Sequence, residues 1–287
     1  MNPTRWFRTF KWKRRVQSCL NDIQQRIDVS AAPHGLNAPL IVSLTSFAPR
    51  FPSLLPTLQC LLRQSVKPDQ VILWLSPEDA AQLPTYIKAL KNEGLSIAIC
   101  EDWRSFKKII PALQQDPNRY IVTADDDVFY PFDWLAKLLE GAKQHPGNVI
   151  SHRAHRVQYE PSGSIASYEN WQKNLNTQQS GADIFATGVS GVLYPPNSLD
   201  QRAIETDAFL SLCPSADDIW LYWMTRLNGS EVHNLGGKAR IIEWPGSQTV
   251  SLLSENAGGD GLGGNDRAIR ALTRAYGLPG QRMQTTS

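Results

Sequence analysis

RYIVTADDD, residues 119–127, is a β-branched apolar run that ends in three adjacent carboxylates. The run predicts a buried strand. Neighbouring like charges repel, so Asp125, Asp126 and Asp127 belong either on a solvated turn or beside a cation. The strand pattern recurs upstream in LIVSLTSF (40–47), DQVILWLS (69–76) and LSIAICED (95–102). Between these runs, SLLPTLQCLLRQSV (53–66) spaces its leucines as a helix does. EDAAQLPTYIKALKNEG (78–94) reads as a helix interrupted at Pro84, and SFKKIIPALQQ (105–115) as another. Strands alternating with helices predict an α/β fold with a mainly parallel, doubly wound sheet. Ligands of such sheets bind beyond the carboxyl ends of the strands, so Thr45, Ser46, Asp102 and the triplet are expected to line one edge.

The 287 residues suffice for one large domain or two small ones. A basic aromatic leader and linker (1–38) is expected before a domain over 39–287, whose halves meet near residue 150. The formal net charge of +2 gives no field that points to nucleic acid. Four scattered cysteines without a CxxC pair argue against a zinc site and for free thiols in a reducing cytoplasm. No apolar stretch approaches the roughly 18–20 residues of a membrane span, and the N-terminus lacks a signal-peptide core. The leader RWFRTFKWKRR (5–15) interleaves Trp6, Phe7, Phe10 and Trp12 with six basic residues. As a helix it suits either peripheral contact with an anionic membrane surface or packing of its aromatics on the domain.

In an extended chain, side chains two apart point the same way, so Asp125 and Asp127 are expected to converge while Asp126 faces away. That pair suits magnesium or manganese, which prefer oxygen ligands and also take substrate phosphates. In the second half, SHRAHRV (151–157) would place Arg153 and His155 on one strand face. GVSGVLYPP (188–196) carries glycines that allow close backbone approach. SADDIWLYWMTRLNG (215–229) reads as a helix with Asp217 and Asp218 in its first turn. Its Ser215-x-x-Asp218 spacing also fits a capping box. NAGGDGLGGND (256–266) reads as a glycine-rich loop able to close over a ligand.

IVSLTSFAPRF, QSVKPDQVILWLS and YIVTADDDVFYPFDWL resemble the nucleotide-binding half of bacterial glycosyltransferases with the GT-A fold, family 2-like and DxD-containing. The likeness continues through RAHRV, GVSGVLYPP and DDIWLYW. It implies a GT-A-like mixed sheet flanked by helices, with a nucleotide-sugar-binding half (39–150) and an acceptor-binding half (151–287). It also implies a nucleotide-sugar donor, a divalent metal (Mn or Mg) on Asp125 and Asp127, and a glycan or lipid-linked acceptor, as in surface polysaccharide synthesis. Asp126 matches the variable middle position of the DxD motif, within the donor site. Thr45 and Arg50 flank the loop that touches base and ribose in this pattern, where Arg50 could meet a phosphate or stack on a base. Asp102 could accept from base or ribose, or cap the helix that follows. Of Lys107 and Lys108, Lys108 is the expected diphosphate contact. The second acid of the pair, Asp218, would be the general base with Asp217 beside it; a retaining enzyme needs no such base. The superfamily often adds a late histidine to the metal, but His233 has no supporting context and the third ligand stays open.

Two other readings fit less well. A sugar nucleotidyltransferase would share the nucleotide half, but no glycine-rich basic phosphate loop follows the first strand. A non-catalytic glycan-binding protein on the same fold would need no base.

Overall fold

The computed structural model describes residues 3–237, 241–247 and 263–279. Its strands are β1 Ala32–Pro33, β2 Leu40–Thr45, β3 Val66–Lys67, β4 Gln70–Leu75, β5 Leu95–Ile99, β6 Tyr120–Ala124, β7 Val149–Ser151, β8 Ala154–Arg156, β9 Gln179–Gly181, β10 Ile184–Ala186, β11 Val192–Tyr194 and β12 Val232–Asn234. Its helices are α1 Pro3–Gln25, α2 Phe51–Leu62, α3 Pro77–Gln82, α4 Thr85–Lys88, α5 Ile110–Gln115, α6 Trp134–Gln144, α7 Thr206–Leu212, α8 Asp217–Leu227 and α9 Gly264–Tyr276.

The main sheet runs β5-β4-β2-β6-β11-β7-β12-β9. The first four strands are parallel, β11 is antiparallel to both neighbours, and β12 is parallel to β7. This is the mixed, mainly parallel sheet with flanking helices that the sequence predicts. Strands covered on both faces need apolar side chains at nearly every position. Along β2 and β6, Ile41 and Ile121 face one core, while Leu40, Val42, Leu44 and Val122 face the other. The chain runs outward from β2 through β4 to β5, then returns to place β6 on the other side of β2. That reversal opens a crevice beyond the carboxyl ends of β2 and β6, where ligands of open α/β sheets bind.

Two predicted helices differ in detail. The 105–115 stretch divides into a 3₁₀ turn, Arg104–Lys108, and α5, because Pro111 fits only near the start of a helix. The 78–94 stretch breaks around Pro84, as expected, into α3, α4 and a 3₁₀ turn. Helix α1 is no loose leader: Val16, Cys19 and Ile23 are buried in the core that holds the leucines of α2. Glu243 forms a single antiparallel bridge to Val128. The glycine-rich loop lies outside the described residues over 256–262.

Candidate active site

The strand ends at Ala124, and the chain bends through Asp126 and Asp127. Several bonds hold that bend. Tyr130 Oη accepts the Asp125 N–H at 2.7 Å, Thr57 Oγ1 donates to the Val128 carbonyl, and the Trp244 N–H donates to the Asp127 carbonyl. The bend overturns the expected alternation. Asp126 does not face away: it is buried, accepts from Ser46 Oγ at 2.6 Å, and pairs with Arg50 Nη1 at 2.6 Å. The same Arg50 nitrogen lies 3.1 Å from Asp127. Arg50, considered from sequence as a phosphate or base contact, is here the counter-charge of the acid bend.

On the opposite wall, Lys108 Nζ lies 2.8 Å from Asp217 and 3.4 Å from Asp125. Burial favours the neutral amine, yet Asp217, Asp125 and Asp218 hold Lys108 charged, with its pKa well above the usual value. Lys107 turns elsewhere, to Asp102 at 2.6 Å and towards Asp79. Burial works against the Asp102 anion, but Lys107 prevails and lowers its pKa. Asp102 also accepts the Arg104 N–H, although the cap position of the turn that follows is Trp103, which makes no side-chain cap bond. Thr45 Oγ1 donates to the Trp74 carbonyl.

The capping box at α8 does not form with Asp218. The helix begins from Ala216 without a side-chain cap, and Asp218 Oδ2 instead accepts the Gly188 N–H at 2.9 Å. A Cβ on Gly188 would meet Asp218 Oδ1 at 2.8 Å and Lys108 Nζ at 2.9 Å. Only glycine lets this backbone approach so closely. Burial and Asp217 push Asp218 up to about 7, against the pull of Lys108 and the Gly188 N–H. Gly188→Ala is expected to displace two side-chain tips, leaving stability near wild type but lowering turnover about a hundredfold. Paired melting and rate measurements would check this.

These groups line one cavity of about 590 Å³. Of the residues singled out from sequence, it gathers Thr45, Arg50, Asp102, Lys108, Asp125, Asp126, Asp127, Asp217 and Asp218. Arg153 also reaches it and donates to Thr187 Oγ1. His155 does not share that setting. It is buried beneath, accepts the Asn174 N–H, and burial lowers its pKa to about 4. His233 sits on β12 against His145 and Ser180, away from the cavity. Sequence reasoning missed Glu243, Tyr168 and Arg104, which line the same space. Glu243 left one signal, a lone acid inside the apolar run IIEW.

Among the described residues, eight carboxylates line the cavity against five Lys and Arg side chains. Burial first, then Asp126, pushes Asp127 up to about 7, against Arg50 and with help from Asp125 and Glu243. The surplus of carboxylates along the cavity fits a bound cation, and the donor set is hard oxygen. No three His, Cys, Asp or Glu side chains form a ready cage among the described residues. Magnesium-type ions do not require one, since they use one or two carboxylates plus substrate phosphate and water.

No protein-family model and no curated protein matches the sequence. Among the solved structures similar in shape are the following three. One is 4-diphosphocytidyl-2C-methyl-D-erythritol synthase, at 14% identity and TM-score 0.43, over 77% of this chain and 100% of that one. Another is S. aureus TarS 1-349, at 13% and 0.46, over 71% and 59%. The third is the mannosyltransferase PcManGT from Pyrobaculum calidifontis in complex with GDP-Man and Mn2+, at 13% and 0.34, over 51% and 44%. These likenesses are loose, and the chemistry rests on this chain's own residues.

Proposed function

We propose that the chain is a metal-dependent glycosyltransferase that moves a sugar from a nucleotide-sugar donor to a glycan or lipid-linked acceptor, with inversion. The observation that carries this reading is the shared cavity at the sheet's switch point, where an acid bend faces a second acid pair across Lys108.

Asp125 and Asp127 would hold a magnesium or manganese ion, which when bound neutralises charge on the departing diphosphate. Arg50 and Lys108 supply the cavity's fixed positive charge, and Lys108 is the diphosphate contact. Thr45 and Asp102, at the ends of β2 and beyond β5, suit the ribose and base. Asp218 takes the proton of the acceptor hydroxyl as that oxygen attacks the anomeric carbon and the sugar–phosphate bond breaks. A general base works best with a pKa near the operating pH, and a value of about 7 suits that role.

The test is a screen of sugar nucleotides with and without manganese, following both binding and release of the nucleoside diphosphate. Asp127→Ala is expected to weaken metal-dependent donor binding by about tenfold to a hundredfold, as measured by calorimetry. Pyrophosphate release from a nucleoside triphosphate and a sugar phosphate would instead indicate a nucleotidyltransferase. Glycan binding without any donor turnover would indicate a binding protein.

A further inference from the structure

Helix α1 is built in two unlike halves. In its second half, Val16, Cys19 and Ile23 are buried against the domain, with Leu20 beside them. Just past the helix, buried Arg26 donates to the Tyr130 carbonyl at 3.1 and 3.2 Å and lies over the Phe129 and Phe132 rings. The helix is therefore fastened to the loop that follows the acid triplet, and Tyr130 Oη in turn accepts the Asp125 N–H.

The first half carries a different pattern. Residues 1–21 contain six Lys and Arg and no Asp or Glu. At 3.6 residues per turn, position 10 falls about a third of a turn around from the stripe at 16, 19, 20 and 23. One domain surface cannot cover both sides of the helix. Phe10 is accordingly 46% exposed. Lys13, Arg14 and Arg15 are exposed nearby, and the Arg14 guanidinium lies over the Phe10 ring.

We propose that the first half of α1 is a docking arm that lies in the surface of an anionic lipid bilayer. Aromatic rings settle at the headgroup boundary, and basic side chains that flank them meet anionic headgroups. Among the described residues no helix is long and apolar enough to cross a membrane, so the contact lies along the surface. A basic helix that only paired with polyanions would have no use for a phenylalanine exposed among its basic side chains, which favours a bilayer over nucleic acid. Through Arg26 and Tyr130 the arm is continuous with the acid bend, so docking fixes the whole domain against the surface. The inference does not depend on the proposed chemistry.

The experiment is flotation of the full chain with vesicles of phosphatidylcholine alone or mixed with phosphatidylglycerol, at low and high salt. Binding is expected only to the anionic vesicles and is expected to weaken with salt. The triple variant Lys13→Glu, Arg14→Glu, Arg15→Glu should lose about a hundredfold in affinity, and Phe10→Ser about tenfold. Both change exposed positions and should melt like wild type. Equal binding to neutral vesicles, no binding at all, unchanged binding of both variants, or tighter binding of single-stranded RNA than of vesicles would each overturn the proposal.

Discussion

Asp218→Asn is expected to lower sugar transfer by about 10²–10⁴-fold, the usual worth of a positioned general base. Donor affinity should be unchanged, because the asparagine carbonyl can still accept the Gly188 N–H that fixes the native carboxylate. With manganese saturating, so that Asp127 stays ionised, wild-type turnover should climb as pH rises through about 7, where Asp218 ionises, and the variant should lose that limb. Stability supplies an independent check. The folded protein holds the Asp218 proton up to about 7, whereas an unfolded chain releases it near the ordinary 3.8. The native state therefore loses stability as pH climbs between these values. Asparagine escapes that loss. The variant should melt higher than wild type on the alkaline side of the window and lose this advantage on the acid side. Full transfer activity in the variant would remove Asp218 from the chemistry.

Lys108→Met should cost about 3–5 kcal/mol near neutral pH, because it leaves buried acids without their counter-charge. The lysine is almost wholly buried, with Asp217 at 2.8 Å and Asp125 at 3.4 Å. A solvated lysine replaced in the same way would change stability by no more than about 0.5 kcal/mol. Protonation relieves the stranded acids, so the loss should shrink in acid. Denaturant unfolding of both proteins at neutral and acidic pH measures the difference. Equal stability at neutral pH would mean that the acids on that wall do not need Lys108.

Much of this was legible from local pattern. Apolar runs such as QVILWL and YIVTA can satisfy a strand buried on both faces and little else. Once the strands alternate with helices, the crevice beyond Thr45 and Asp125 follows from topology. Residue type at strand ends and at the start of α8 therefore sufficed to name residues that the fold brings into one cavity. Side-chain direction was harder to read. Alternation holds only within a strand, and the chain leaves β6 at Ala124, so the bend rather than the pleat decides that Asp126 points inward to Ser46 and Arg50. The Ser215 spacing suggested a cap, but the pull on Asp218 comes from Gly188, far along the chain. Glu243 reaches the bend through a single backbone bridge to Val128, a contact that no local period encodes. The anchoring of α1 was hidden in the same way. Arg26 looks like one more polar residue after a basic leader until Tyr130 is seen to accept from it.

Asp125 and Asp127 are proposed to share a divalent cation with the donor's diphosphate. Crystals grown with manganese and a sugar nucleotide, measured for anomalous scattering at the manganese edge, address it directly. One peak is expected about 2.0–2.2 Å from carboxylate oxygens of both residues and from a phosphate oxygen. A bound nucleotide with no such peak, while Arg50 still holds Asp127 and Lys108 still holds Asp125, would contradict it.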